Sequence, residues 1–135
     1  MIAARTGQEL ARRRLRPTGL SVQMCGVLNV LAAGPVSQQG LGEQLGIDRT
    51  TVVELIDELE QKGLVVRVRN PADRRSYSLN LTPRGRQVQK RASKVFDAAA
   101  AEFFGPLKAT EQKALAEMLR RMISSADHQL RESSA

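Results

Sequence analysis

Between Gly34 and Leu81 the chain is cut into short pieces by helix caps and glycines, and this spacing restricts the fold more than any other feature. Ser37 and Asp48 are N-cap residue types placed just ahead of runs that can be helical. Gly46 and Gly63 stand where those runs must stop, Gly46 in a left-handed conformation. The first piece is a helix over 38–45 with Leu41 and Leu45 on one side. The second is a helix over 49–62 with Val52, Leu55, Ile56 and Leu59 at spacings of three and four. Two β-branched or alternating runs follow, 64–69 and 77–81, joined by the turn-rich, charged stretch 70–76. They read as a β-hairpin with a long tip. Two helices across a tight glycine turn, then a hairpin, make a winged helix-turn-helix.

The flanks are helical in pattern. A short helix over 7–16 is ended by Pro17 and Gly19. Ser21 caps a helix over 22–33 whose stripe is Val27, Leu28, Val30 and Leu31, and Gly34-Pro35 stops it. Thr82-Pro83 opens a long helix to about Phe104, with Val88, Ala92, Val95, Phe96, Ala99 and Phe103 along one side. Gly105-Pro106 breaks it. Thr110 then caps a last helix to about Leu130, with Leu115, Met118, Leu119, Met122 and Ile123 on its apolar face. The fold class is mainly α with a small β-hairpin wing. The expected organisation is an N-terminal helix over 1–20, a winged helix-turn-helix over 21–82 and C-terminal helices over 83–135, within one compact domain.

The 135 residues suit one domain, and 41% apolar residues supply a core that aliphatic side chains must build, because aromatics are only 3%. Lys and Arg number 21 against 14 Asp and Glu, a net charge of +7 that favours a polyanionic partner: nucleic acid or an acidic membrane surface. One Cys and one His exclude an internal disulfide framework and argue against a metal cluster. No run approaches the ~20 apolar residues that span a bilayer. The Arg-rich start lacks a signal peptide's apolar stretch, and it reads as a helix rather than a transit peptide. The expectation is a cytoplasmic protein with no cofactor. No Gly-rich phosphate loop, Ser–His–Asp set or metal cluster marks an enzyme.

In a helix-turn-helix the second helix enters the major groove with its N-terminal residues at the base edges. Here it begins at Arg49. At ~100° per residue, the face opposite its apolar stripe holds Thr50, Val53, Glu54 and Asp57. Thr50 can bond a base or phosphate, Val53 can touch a thymine methyl, and Glu54 can accept from cytosine N4. Arg49 at the rim suits a phosphate. The acids Asp57, Glu58 and Glu60 would repel phosphate, so only the first two turns should approach. Between Gly63 and Arg91 the basic residues are Arg67, Arg69, Arg74, Arg75, Arg84, Arg86, Lys90 and Arg91, against Asp73 alone. That is the footprint of a phosphate-contacting wing, and a loop-tip Arg can also enter a narrow minor groove.

The stretch GPVSQQGLGEQLGIDRTTVVELIDELEQKGLVVRVRNPADRRSYSLNLTPRG, residues 34–85, resembles the MarR family of bacterial regulators. The specific segments are IDRTTV, LEQKGLV, NPADRR and LTPRG. Elsewhere the similarity is one of helix pattern. The resemblance implies a homodimer through the terminal helices. It implies binding to palindromic DNA sites, usually as a repressor, and often relief by a small molecule or oxidant. It makes Arg75 the minor-groove arginine, with Asp73 orienting it or shaping the turn; Arg69 and Arg74 join the candidate DNA contacts on the charge pattern of the hairpin. Thr50, Thr51 and Glu54 match the recognition helix, and Ser37 and Gln38 the start of the helix before it. Three departures stand out. Glu54 replaces a residue that is basic or neutral in many members. The segment before Leu20 is short. Met24-Cys25 stands where an aromatic is common in the ligand cleft, which weakens an aromatic-stacking site. Cys25 also invites a redox reading, although a free Cys without a neighbouring cation is ordinarily a small buried hydrophobe. His128 reads as a surface or interface residue. The competing function is a sequence-indifferent, nucleoid-type binder, for which charge alone would serve.

Overall fold

The structure is a computed structural model that describes residues 2–133; the side chains of Arg74 and of residues 127–133, including His128, lie outside the description. The chain divides into two compact units, Met1–Ala99 and Ala100–Ala135. The first contains α1 (Ile2–Leu15), a 3₁₀ turn (Arg16–Thr18), α2 (Val22–Ala33), β1 (Val36–Ser37), α3 (Gln38–Leu45), α4 (Arg49–Gln61), β2 (Val65–Asn70) and β3 (Asp73–Leu81). Helix α5 (Pro83–Phe104) runs from the first unit into the second, which holds α6 (Ala109–Ser133).

The caps act where the side-chain chemistry puts them. Ser21 Oγ accepts from the Met24 amide, Ser37 Oγ from Gly40 and Asp48 Oδ1 from Thr51, so α2, α3 and α4 each have an orphan amide satisfied. Gly46 closes α3 at φ 64°, a left-handed conformation with no steric cost for glycine, and the Ile47 amide bonds the Gly42 carbonyl at 3.1 Å. This is the turn of the helix-turn-helix.

The core of the first unit is aliphatic. Val27 and Leu28 from α2, Leu41 from α3, Ile56 and Leu59 from α4 and Leu79 from β3 are fully buried, and Leu15, Leu64, Val65, Leu81 and Ala92 complete the cluster. Helix α2 is the central post: it touches α1, α3, α4 and β3. On α5, Ala92 and Ala99 are buried, and Val88, Val95 and Phe96 pack partly against this core.

Four sequence expectations need correction. The hairpin tip is not a loop over 70–76, because β3 begins at Asp73 and only Pro71-Ala72 turns the chain. Arg69 pairs with Tyr77 and Asn70 with Asp73, so residues 74–76 bulge from β3 opposite a single step of β2. The wing also has a third strand: β1 pairs antiparallel with β3, giving the order β1-β3-β2. Helix α1 starts at Ile2 rather than near residue 7. Finally, Thr110 lies inside α6; the carboxylate of Glu111 instead reaches back to accept the Lys108 amide at 2.7 Å.

In the second unit, Phe103 and Phe104 meet edge to face at 4.9 Å, and the Gln112 amide donates to the carbonyls of Phe104 and Leu107, closing the turn into α6. Met118, Leu119, Met122 and Ile123 on α6 are 45–67% exposed in the single chain. No helix among the described residues is long and apolar enough to cross a membrane.

Candidate nucleic-acid interface

A cleft of about 730 Å³ opens between the start of α3, the start of α4 and the wing. Ser37, Gln38 and Gln39 line one wall, Arg49 and Val52 the floor, and Arg75, Ser76 and Tyr77 the wing side. Each wall is positioned by the local chain. Ser37 ends β1 and caps α3, so pairing with Ser78 and the first turn of the helix fix the same residue. Arg49 is the first residue of α4, held by the cap at Asp48. Arg75 sits in the bulge, where Asp73 Oδ1 accepts its amide at 3.0 Å and the Ser76 hydroxyl donates to the Asp73 carbonyl at 3.2 Å. The Asp73 carboxylate therefore shapes the turn through the backbone. Among the described residues, no carboxylate pairs with the guanidinium of Arg49 or Arg75.

The remaining residues singled out from the sequence fall into distinct settings. Thr50 and Glu54 are exposed on α4 and Val53 is half-buried there; they lie outside the cleft lining. Thr51 gives its hydroxyl proton to Asp48 Oδ2 at 2.6 Å, which leaves it only acceptor capacity toward anything else. The two bonds from Thr51, through its hydroxyl and its amide, hold the Asp48 carboxyl below the usual carboxylate range. Arg69 lies over its cross-strand partner Tyr77, guanidinium carbon 5.8 Å from the ring centroid, a cation–π contact that stiffens the wing. The Arg74 side chain lies outside the described residues.

Arg67 overturns part of the charge reading. Counted from sequence among the phosphate-facing cations, it is 22% exposed and turned toward α4, where its guanidinium pairs with Asp57 at 2.7 Å and with Glu60. Its Nε donates to Gln38 Oε1 at 3.1 Å, and its amide to Glu60 Oε1 at 3.1 Å. Strand parity does not single it out, since Arg69 shares the face of Val65 and Arg67 and is exposed. Tyr77 and Gln39 are cleft residues that the sequence reading also passed over; nothing in their spacing distinguishes them from ordinary strand and helix surface.

Met24 and Cys25 belong to the core, 3% and 1% exposed, rather than to a cleft. Burial pushes the Cys25 thiol up to about 11, which suppresses the nucleophilic thiolate. Among the described residues, no group of His, Cys, Asp and Glu could hold a metal.

Comparison with known proteins agrees with this architecture. The model of the MarR family matches residues 18–76. A proposed transcriptional regulatory protein for the hcr operon of Thauera aromatica is 34% identical over 116 residues, 85% of this chain and 70% of that protein. A MarR-family transcriptional regulator from Rhodococcus sp. RHA1 superposes with a TM-score of 0.80 at 31% identity, covering 86% of this chain and 83% of its own. A cysteine-to-serine mutant of MarR from E. coli, solved in complex with operator DNA, shares the fold with a TM-score of 0.81 at 23% identity, covering 90% of this chain and 88% of its own. With its capped helix pair, three-stranded wing and aliphatic core, the chain belongs to the MarR family of winged helix-turn-helix transcriptional regulators.

Proposed function

We propose that this chain binds a palindromic DNA operator as a homodimer and represses transcription from it. The observation that carries the reading is the pair of carboxylate-free arginines, Arg49 at the start of α4 and Arg75 in the wing bulge, on two sides of one cleft. They flank the first turn of α4 with two positive charges, and nearer its other end Asp57 and Glu60 are occupied by Arg67 and Glu58 by Lys62. A duplex meeting this face encounters these two cations beside one acid, Glu43, which also lines the cleft and accepts from Gln39. Thr50, Val53 and Glu54 then stand toward base edges, Arg49 and the Ser37–Gln38 corner toward backbone, and the bulge with Arg75 toward the adjoining minor groove. The exposed apolar row Met118, Leu119, Met122 and Ile123 supports pairing with a second copy, since such patches mark interaction surfaces. A two-fold dimer would set its recognition helices about one helical turn of DNA apart. Occupancy of a promoter then excludes the polymerase.

The test is selection from a random duplex library with purified protein, followed by affinity against salt for the winner and a scrambled control. An enriched inverted repeat, bound far more tightly than the control, is the expected result. Equal, steeply salt-dependent binding to both would leave a charge-driven, sequence-indifferent binder. Repression is read separately: with the selected site placed across a promoter, added protein lowers transcript yield in vitro.

A further inference from the structure

One side chain joins three elements of the DNA-facing unit. The Arg67 guanidinium, carried on β2, reaches Gln38 at the first residue of α3 and both Asp57 and Glu60 on α4. Asp57 and Glu60 are one helical turn apart, so a planar fork can meet both at once, and Nε still points to the glutamine oxygen. The Arg67 amide donates to the same Glu60 carboxylate. Glu60 is thus held by side chain and backbone of one strand residue. No other side chain among the described residues connects α3, α4 and the wing in this way.

We propose that Arg67 is a positioning residue for DNA binding: it fixes the wing against the recognition helix and masks two of that helix's three C-terminal acids, without touching the duplex itself. This rests on the DNA-binding reading above. With Arg67 gone, Asp57 and Glu60 face the phosphates uncompensated, and the wing root loses its tie to α3. A lysine in its place would restore the charge but not the fork, because an ammonium is a point charge that cannot hold three acceptors in one plane.

The experiment compares native protein, Arg67→Met, Arg67→Lys and the triple variant Asp57→Asn/Glu60→Gln/Arg67→Met. Affinity for the selected operator is measured from low to high salt, and circular dichroism melts confirm that each variant is folded. Arg67→Met is expected to bind on the order of tenfold more weakly, with Arg67→Lys between it and native, because the lysine keeps the charge and loses the fork. The triple variant should recover the part of the loss that the bare acids cause and keep the part that the lost tie causes. The slope of log affinity against log salt should change little in Arg67→Lys. Should Arg67→Met fail to fold, Arg67→Lys against native carries the test, since a phosphate contact would survive that change and a fork would not. Full affinity in Arg67→Lys, or no recovery in the triple variant, overturns the proposal. Native protein without operator preference instead overturns the DNA-binding reading itself, a result seen before any variant is made.

Discussion

Replacing Gly85 by Ala tests the packing of the wing root, because two familiar effects predict opposite signs. Gly85 is the third residue of α5 and is buried against Leu64, the residue just ahead of β2. On helix propensity alone, Gly→Ala stabilises by about 1 kcal/mol. A Cβ at this position, however, would lie 2.0 Å from the Leu64 carbonyl oxygen and 2.9 Å from its carbon. Non-bonded atoms sit near ~3.5 Å apart, so backbone must move by roughly 1.5 Å. Overpacking against backbone costs about 1–3 kcal/mol. The same Leu64 carbonyl accepts the Thr82 amide at 3.0 Å, a bond of about 1 kcal/mol that the shift would break. The balance is a net loss of roughly 1–3 kcal/mol. At about 4 °C per kcal/mol for a chain of this size, Tm falls by roughly 4–12 °C. The control is Gly26→Ala in the interior of α2, where a Cβ would meet only Leu45 Cδ2 at 3.5 Å, an ordinary van der Waals distance. There propensity acts unopposed and Tm should rise by a few degrees, about 4 °C at most. Melts are run at matched protein concentration, since dimerisation would make Tm concentration-dependent. A Gly85→Ala protein that melts at or above native would refute this reasoning.

Three further outcomes are expected. Arg75→Ala should weaken operator binding and lower the salt slope by about 0.9 for each phosphate that the arginine neutralises; fluorescence anisotropy across a salt series checks this, and an unchanged slope would remove Arg75 from the interface. Cys25 in native protein should react with maleimide at pH 8 only as fast as the core opens, given a thiol pushed up to about 11 and 1% exposure; rapid labelling without denaturant would contradict its burial. The Asp48 cap should make stability depend on pH in the acid range. Its folded carboxyl is held below the ordinary value, so the contribution is complete above that ordinary value and is lost as pH falls through the folded one. Asp48→Asn keeps an acceptor without the titration, and its Tm should fall less steeply with acid than native; identical acid profiles would show that the cap does not titrate in this range.

How much of this was readable from the chain depends on the range of the interaction. The caps at Ser21, Ser37 and Asp48 and the left-handed Gly46 act within three or four residues, and the sequence reading located all four. The core face of α4 follows from a 3.6-residue period and was equally legible, whereas on α2 the stripe took in Val27, Leu28 and Leu31 but left out Met24 and Cys25. What escaped was set at a distance. Strand β1 is two residues long and exists because β3 runs past it some forty residues later. The bulge at residues 74–76 looked like a loop because three charged or polar residues in a row carry no period-two signal. Glu111 outcompeted Thr110 at the start of α6 by reaching back to an amide, a choice that composition does not reveal. Arg67 resembled every other wing arginine until its partners, ten, seven and twenty-nine residues away, came into view. Of the proposed contact residues, Ser37, Gln38, Arg49 and Arg75 meet around one cleft, whereas Thr51 is turned into its own helix cap.

The short pairing of Val36–Ser37 with Leu79–Ser78 has a mechanical meaning. It returns the chain to the residue from which α3 departs, so α3, α4, β2 and β3 form a closed circuit, linked covalently on one side and by hydrogen bonds on the other. The circuit ties the wing to the start of α3 at a second point, beside the contact that Arg67 makes with Gln38. Two ties at one corner make α3 and the wing root share their position, so a displacement of either is felt by the other.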